Sequence, residues 1–433
     1  MKQLAAEDRM DRGEHSGMHA SASSSALRPH DLRRTASTLR AAIETSIPSA
    51  RIAAIMARAA TELVNESSLI TRIAEGSGFS PQLIAASLQG LLAPFLDGAH
   101  LEDFARKLKT RRELVGFVMP GNIAGGGLHE VVIALLAGCS VMIKSATAEP
   151  FFFRELAKAV ARADGDLAHR LAVFDWGRQQ IDLTSAMREC CDRIVIFGDD
   201  ATVASFDRAG DRDVNNSARS NDLAGFGDRV SCAIVMSDGG SSGEDRAPER
   251  LLARDIVLFE QRGCLSPHHI FIHDVVGSYA LAFAEKLAAA LDGLARELPP
   301  TTKLRLEDAA AIRRVRETAR WQGLGGRQVR MWEGSNLGWT VIFDRTSAFV
   351  DSPGFRTVRV SPFADLDDLA RRLEPARGRL EACAIAGSSS LNGDVRSLVE
   401  MFGASYVCDA GAMQSPPIEW PHGGGAFLRS FIN

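Results

Sequence analysis

Phe259-Glu260-Gln261-Arg262-Gly263-Cys264-Leu265-Ser266-Pro267-His268 is the stretch on which the reading of this chain turns. A mostly apolar run with helical spacing, Leu251 to Phe259, leads into it. A short β-like run, Ile270 to Ile272, leads out. Cys264 therefore falls at an element junction, between a glycine and a Leu-Ser-Pro turn, with backbone N–H groups free around it. A thiol so placed is a candidate covalent nucleophile.

Outward from this segment the chain alternates between two patterns. Leu114 to Met119 reads as a buried strand, followed by Pro120-Gly121-Asn122 and a triple glycine, Gly125-Gly126-Gly127. A helix (Leu128 to Ala137) and a strand ending at Lys144 come next. The sequence continues through a helix over Phe151–Ala163, a strand over Leu171–Phe174, a helix over Ile181–Glu189, a strand over Arg193–Phe197 and a helix over Ala201–Ala209. Strand–helix alternation with short joints implies a parallel sheet covered on both faces, and this first sheet is the natural nucleotide-binding unit. Asp211 to Asp228 is polar and reads as a loop or linker, and Gly239 to Gly243 as a surface loop. A second alternation begins at Val230–Met236. It carries helices over Pro248–Phe259, Ser278–Leu291, Leu304–Trp321, Leu366–Leu373 and Asp394–Phe402, and strands over Thr340–Phe343, Thr357–Val360 and Ala382–Ile385.

Before the first sheet, His30 to about Lys109 has helical spacing, with Ser80-Pro81 as an N-cap and first-turn pair. The boundaries that follow are 1–29 as a disordered tail, 30–228 as a helical region plus cofactor domain, and 229–412 as the domain carrying Cys264. Residues 413–433 form a C-terminal arm whose Pro- and Gly-rich run excludes regular helix or strand, packed against the body or a neighbouring subunit.

Composition narrows the function. The 433 residues are 45% hydrophobic and 24% charged, with 50 basic and 54 acidic side chains and a net charge of −4. That balance carries no nucleic-acid footprint. No apolar run is long enough to span a bilayer. The first 25 residues lack the apolar core of a secretory signal. Seven cysteines, an odd number without an export signal, point to reduced thiols in the cytoplasm. Cys139, Cys232 and Cys383 lie in apolar runs and read as inert core thiols. No Cys/His cluster has metal-ligand spacing, so no metal is expected.

Three features recur in order. They are Pro120-Gly121-Asn122 with Lys144 after the next strand, Phe197-Gly198-Asp199 before a helix, and Gly263-Cys264. This order resembles the aldehyde dehydrogenase superfamily. Leu258-Phe259-Glu260-Gln261-Arg262-Gly263-Cys264-Leu265-Ser266-Pro267, Gly227-Asp228-Arg229-Val230-Ser231 and the closing Trp420-Pro421-His422-Gly423-Gly424 narrow the resemblance to the acyl-CoA reductases of the bacterial luminescence fatty-acid reductase family, from about Arg111 to the end. The implied fold is α/β and aldehyde dehydrogenase-like. It has two doubly wound domains, a Rossmann-like cofactor domain and a catalytic domain, with an N-terminal helical region.

The resemblance implies roles for individual residues. Cys264 is the nucleophile that becomes acylated by a thioester, and Asn122 gives its side-chain amide to the oxyanion. From spacing alone Asn122 reads as a turn residue. Pro120, Gly121, Lys144, Ser145 and Gly198 line the cofactor, at the carboxyl ends of parallel strands where such folds bind ligands. His268 and His269 follow the nucleophile closely; as strand-start histidines they read more readily as structural, and His129 is a weaker candidate still.

Two departures from the superfamily pattern set the direction of the chemistry. Lys144-Ser145-Ala146-Thr147 lacks the glutamate that holds the adenosine ribose diol in NAD-preferring members, which favours NADPH over NADH, although Glu149 stands two residues further on. Gly225-Phe226-Gly227-Asp228-Arg229 lacks the glutamate that activates water in oxidative members, and Asp228 reads as structural. In place of the family's nicotinamide-ribose glutamate stands Asp351-Ser352-Pro353-Gly354-Phe355, which leaves that contact in question. The expected activity is NADPH-dependent reduction of an acyl thioester, on coenzyme A or on a protein, to an aldehyde. An acyl-protein synthetase partner and a homo-oligomer are implied by the resemblance only. The alternatives are an oxidative aldehyde dehydrogenase, which needs the missing base, and a non-catalytic acyl-transfer subunit.

Overall fold

The computed structural model describes residues 27–210, 222–236, 247–387 and 389–432. The expected N-terminal tail and the Gly239–Gly243 loop therefore lie wholly or almost wholly outside the described residues. The first helix, α1 (Pro29–Glu44), already begins at Pro29. It buries Leu32, Ala36, Leu39 and Ile43, spaced four, three and four apart as one helical stripe requires. Helices α2 (Ser49–Val64), α3 (Ser67–Ser77), α4 (Pro81–Leu92) and α5 (Gly98–Ala105) complete the N-terminal region. Ser80 caps α4 by accepting a hydrogen bond from the Leu83 N–H at 3.2 Å, with Pro81 in the first turn.

The first sheet takes β1 (Leu114–Val118), β2 (Ser140–Ser145), β3 (Leu171–Asp175), β4 (Arg193–Phe197) and β5 (Asp222–Phe226) in the order β3-β2-β1-β4-β5, all parallel. Between the strands run α6 (Leu128–Leu136), α7 (Phe152–Ala163), the short α8 (Gly165–Ala168), α9 (Ile181–Cys190) and α10 (Asp200–Gly210). β1 is buried throughout because both its faces are covered. Leu114 and Val118 pack with residues of α1 and α9, and Val115 and Phe117 with residues of α2, α6 and α7. The chain leaves β1 toward β2 on one side and returns to β4 on the other. A crevice therefore opens at the carboxyl ends of these strands.

The second sheet has seven strands. They are β6 (Val230–Val235), β7 (Pro267–His273), β8 (Val329–Glu333), β9 (Thr340–Asp344), β10 (Thr357–Phe363), β11 (Leu380–Ala386) and β12 (Tyr406–Asp409). Their order is β12-β11-β6-β7-β10-β9-β8, parallel except for β8 against β9. Helices α11 (Pro248–Val257), α12 (Ser278–Glu297) and α13 (Leu306–Leu324) precede β8; α14 (Leu366–Leu373) and α15 (Asn392–Met401) follow β10 and β11. One face of β6 packs with α14 and α15 through Cys232 and Ile234. The other packs with α11 and α12 through Ala233 and Val235.

Three differences from the sequence reading have a common cause. β5 lies inside the stretch read as a polar linker, and β8 and β12 are strands that the pattern does not announce. All three are sheet edges with only one paired flank, so their residues stay partly exposed and tolerate Asp, Gly, Arg and Glu. The C-terminal segment packs against the body of its own chain. It forms a short helix, α16 (Ala426–Arg429), and buries Trp420, Phe427, Leu428 and Phe431. The Lys109 N–H donates to the Phe431 carbonyl at 2.7 Å and Arg111 Nη2 to the Ser430 carbonyl at 2.6 Å. Cys139, Cys232 and Cys383 are buried, and burial pushes the Cys139 thiol up to about 12. Among the described residues no helix is long and apolar enough to cross a membrane.

Gly127, at the start of α6, holds φ +88°, and a Cβ there would come within 2.8 Å of the Phe197 ring. Gly127→Ala is expected to destabilise the protein by about 2 kcal/mol or more, from left-handed strain and overpacking. Gly165→Ala, whose Cβ would meet nothing within 4 Å, is expected to be neutral or mildly stabilising. Thermal unfolding of the two variants side by side checks this; equal melting temperatures would contradict it.

Candidate active site

The segment ahead of Cys264 is bent into an unusual shape. Phe259, Glu260 and Gln261 hold φ of 55°, 54° and 58°, three consecutive non-glycine residues in the left-handed region. Each such residue costs on the order of 1–3 kcal/mol. The turn persists because its side chains and backbone are held on all sides. Glu260, essentially inaccessible, accepts from Arg356 Nη2 at 2.7 Å and from the Thr301 N–H at 3.2 Å. The Glu260 carbonyl accepts from the Phe355 N–H at 2.8 Å. Gln261 donates to the Pro267 carbonyl at 2.7 Å and accepts from the Thr357 N–H at 2.7 Å, bracketing the cysteine loop. The Phe259 N–H donates to Ser87 Oγ at 3.0 Å, which ties the turn to α4. Burial pushes the Glu260 carboxyl up against the pull of Arg356.

Cys264 follows, half-buried, in a cleft of about 1620 Å³ between the two sheets. Ser231 Oγ, on β6, holds the Cys264 carbonyl at 2.6 Å. Asn122, from the turn after β1, donates Nδ2 to the Arg262 carbonyl at 2.7 Å, so it is fixed to the backbone two residues before the thiol. The sulfur lies 3.9 Å from His422 Nε2, and His422 Nδ1 lies 2.8 Å from Glu130 Oε1 on α6. The His422 ring stacks on Trp420 at 4.2 Å and on Phe226 at 4.4 Å. Its loop is anchored by the Gly423 N–H, which donates to buried Glu381 at 3.1 Å.

Burial opposes charge on both His422 and Glu130, yet each favours charge on the other. His422 is raised well above the ordinary histidine value, helped also by the Cys264 thiol. Glu130 is lowered, chiefly by His422.

The wall of the cleft formed by the first sheet carries most of the other expected residues. Pro120, Gly121, Lys144 and Gly198 line it, at the carboxyl ends of β1, β2 and β4. A Cβ on Gly121 would press on Ala146 and Ala148 at 3.1 and 3.2 Å, so only glycine leaves the backbone open to a ligand here. Ser145 is different. It is fully buried and not part of the cleft wall, and its Oγ finds no partner. Lys144 Nζ lies 5.5 Å from the Trp176 ring, and burial followed by Arg178 pushes its ammonium below the ordinary lysine value. Glu149 does not replace the missing acid. Its carboxylate accepts the Phe151 and Phe152 N–H groups at 3.1 and 3.0 Å at the start of α7, away from the cleft wall. Asp351 pairs with Arg379 at 3.0 Å and is likewise outside the wall.

His269 is buried, whereas His268 is half-buried and contributes to the cleft wall. His268 Nδ1 accepts the Ser352 N–H at 3.1 Å, and burial pushes its pKa down to about 4. His269 contacts Ser361 Oγ at 2.9 Å. His129 contacts the Pro416 carbonyl at 3.0 Å, behind Trp420. The residues missed by the sequence reading are Glu130 and His422. They stand 292 positions apart, and no local pattern joins them. The one signal was the Trp420–Gly424 run, noted for its resemblance without a role.

Residues 93–433 match the family model described as Acyl-CoA reductase (LuxC). The chain is 23% identical over 256 residues to a long-chain acyl-protein thioester reductase of Aliivibrio fischeri, covering 58% of this chain and 49% of that protein. It is 20% identical over 319 residues to long-chain acyl-protein thioester reductase 2 of Photobacterium leiognathi, covering 73% and 62%. The matched part thus spans between about half and three-fifths of these curated relatives. In fold it is similar to an indole-3-acetaldehyde dehydrogenase of P. syringae, solved with NAD+ (TM-score 0.66, 14% identity, 89% of this chain and 81% of that one). It is similar also to an aldehyde dehydrogenase of Pseudomonas aeruginosa (TM-score 0.67, 15% identity, 89% and 81%). The expected aldehyde dehydrogenase-like fold is therefore the one observed.

Glu260→Ala leaves the Arg356 guanidinium buried without its carboxylate and is expected to cost about 3–5 kcal/mol, read as a fall in melting temperature. A change below about 0.5 kcal/mol, the range of an ordinary surface site, would contradict the assignment. The Glu130–His422 pair gives a pH signature. His422 has a raised folded pKa, so its contribution is full below about pH 6.5 and lost as pH rises through that higher value. Glu130 has a lowered one, so its contribution is full above about pH 4.3 and lost as pH falls through the lower value. The melting-temperature advantage of wild type over His422→Gln should therefore shrink at both the alkaline and the acid end. An advantage that stays flat from acid to alkaline pH would contradict this.

Proposed function

Because this chain belongs to the acyl-CoA reductase (LuxC) family, we propose that it reduces an acyl thioester to an aldehyde with NADPH, by way of an acyl-enzyme on Cys264. The observation that carries this reading is the surroundings of the sulfur. It faces a histidine across 3.9 Å, and the carboxylate behind that histidine is engaged at 2.8 Å rather than presented to a water molecule. The Gly225–Arg229 stretch supplies no glutamate to activate water, which favours reduction of the acyl-cysteine over its hydrolysis.

Cys264 attacks the thioester carbonyl, and the displaced thiol leaves. Asn122 uses one N–H to hold the Arg262 carbonyl, and we assign its second N–H to the oxyanion that develops at the acyl carbon. The residues at the strand ends fit a dinucleotide: Gly121 and Gly198 keep the backbone accessible, Pro120 shapes the turn, and Lys144 and Arg178 supply cations. Ser145 supports this region from beneath through the backbone. NADPH held there would supply the hydride that converts the acyl group to an aldehyde. The preference for NADPH rests on the absence of a carboxylate from the Lys144–Ala148 stretch of the wall, since Glu149 caps α7 instead. The acyl donor is coenzyme A or a protein thiol, the second in line with the names of the relatives. In that case an acyl-protein synthetase is the partner, and we place the enzyme in the cytoplasm as a homo-oligomer.

With a panel of acyl-CoAs, acyl-dependent loss of NADPH absorbance and trapped aldehyde are expected; no NADPH loss at any chain length would refute the proposal. Cys264→Ala should acquire no covalent acyl label. Asn122→Ala should slow acyl-enzyme formation by about 10²–10³-fold. In titrations followed by nicotinamide fluorescence, NADPH should bind more tightly than NADH, and Arg178→Ala should narrow the difference; tighter binding of NADH would overturn the cofactor assignment.

A further inference from the structure

The line Cys264–His422–Glu130 joins three distant parts of the chain: the junction after α11, the C-terminal segment and the first turn of α6. Three features of this line point to proton transfer. Glu130 is 2% exposed and its Oε1 meets Nδ1 of the ring, so the carboxylate accepts a proton held on Nδ1 and leaves Nε2 toward the sulfur. The ring is clamped between Trp420 and Phe226, which fixes its plane. Its loop is pinned on the far side: Gly423 donates to Glu381, and the Trp420 indole N–H donates to Ser405 Oγ at 3.1 Å, while Ser405 in turn bonds Glu381.

We infer that His422 is a catalytic acid–base residue of the acylation step, taking the proton of the Cys264 thiol and handing it to the sulfur of the leaving thiol, with Glu130 as the positioning residue that sets its tautomer. The inference rests on the acyl-enzyme reading above and deepens it. The step balances. The proton shared by the Cys264–His422 pair rests on Nε2, since Glu130 and the sulfur hold the imidazole well above its ordinary value, and a new bond then forms between Sγ and the acyl carbon. The bond from that carbon to the departing sulfur breaks with its electron pair, and the proton on Nε2 moves to that sulfur. The products are an acyl-cysteine, a neutral thiol and a neutral imidazole that has given up its proton, with nothing oxidised or reduced. An alkyl thiol such as coenzyme A is a poor leaving group as its anion, so the gain from a placed acid is large. An aryl thiol departs readily as the anion and has little need of one.

That contrast is the test. Wild type, His422→Gln and Glu130→Gln are each mixed, without cofactor, with the octanoyl thioester of N-acetylcysteamine and with the octanoyl thioester of thiophenol. The rate of octanoyl addition is read by intact-protein mass spectrometry, and melting temperatures check that each variant is folded. His422→Gln is expected to lose at least about tenfold more rate with the alkyl thioester than with the aryl thioester. Glu130→Gln, which keeps the shape and a hydrogen bond to the ring, should show the same split at smaller size. Equal losses with both thioesters in a folded variant would overturn the acid role and leave His422 a packing residue. Failure of the wild-type protein to acylate with either thioester would instead overturn the acyl-enzyme reading, and this inference with it.

Discussion

The buried ion pair between Glu260 and Arg356 is the contact from which the site is built. Both side chains are withdrawn from water, at 1% and 0% exposure, so their attraction works against a large desolvation cost. A pair of this kind adds little net stability, but it cannot be broken cheaply on one side. What it secures is geometry: the left-handed turn at Phe259–Gln261, strained at three successive residues, is kept in place by Arg356, Thr301, Phe355 and Thr357. Because Arg356 precedes β10 and Cys264 precedes β7, and these strands are neighbours in the sheet, the turn transmits the rigidity of the sheet to the cysteine loop.

The same sheet geometry explains why a single cleft serves both halves of the proposed reaction. The first sheet delivers Asn122, Lys144 and Gly198 from the carboxyl ends of its strands, and the second delivers Cys264. Asn122 bridges the two by holding the Arg262 carbonyl. The C-terminal segment then closes over the junction, with the His422 ring stacked between Trp420 and Phe226 at the end of β5.

Much of this was legible in the sequence, for identifiable reasons. Buried parallel strands are continuous apolar runs, so β1, β2, β4, β6 and β11 announce themselves. Cys264, Asn122 and Lys144 each sit in a short run that resembles known enzymes, and all three line the cleft. Edge strands β5, β8 and β12 were hidden because half of each faces water. Ser145 could not be told from its neighbours by sequence, since adjacent residues of a strand point to opposite faces. The Glu130–His422 contact was invisible for a deeper reason: it is made by tertiary folding alone, between α6 and a segment that the sequence marks only as unable to form long regular structure. The missing acids were readable, but where Glu149 goes instead was not, because helix capping at α7 depends on the local backbone.

The central claim is that the acyl group resides on Cys264 until it is reduced. Its most direct measurement starts from protein acylated with a labelled fatty acyl-CoA in the absence of cofactor, freed of excess substrate, and then exposed to NADPH or to buffer alone. The account predicts a label on the peptide containing Cys264 that is stable in buffer and released as aldehyde when NADPH is added. Release as the free carboxylic acid, at the same rate with and without NADPH, would contradict it.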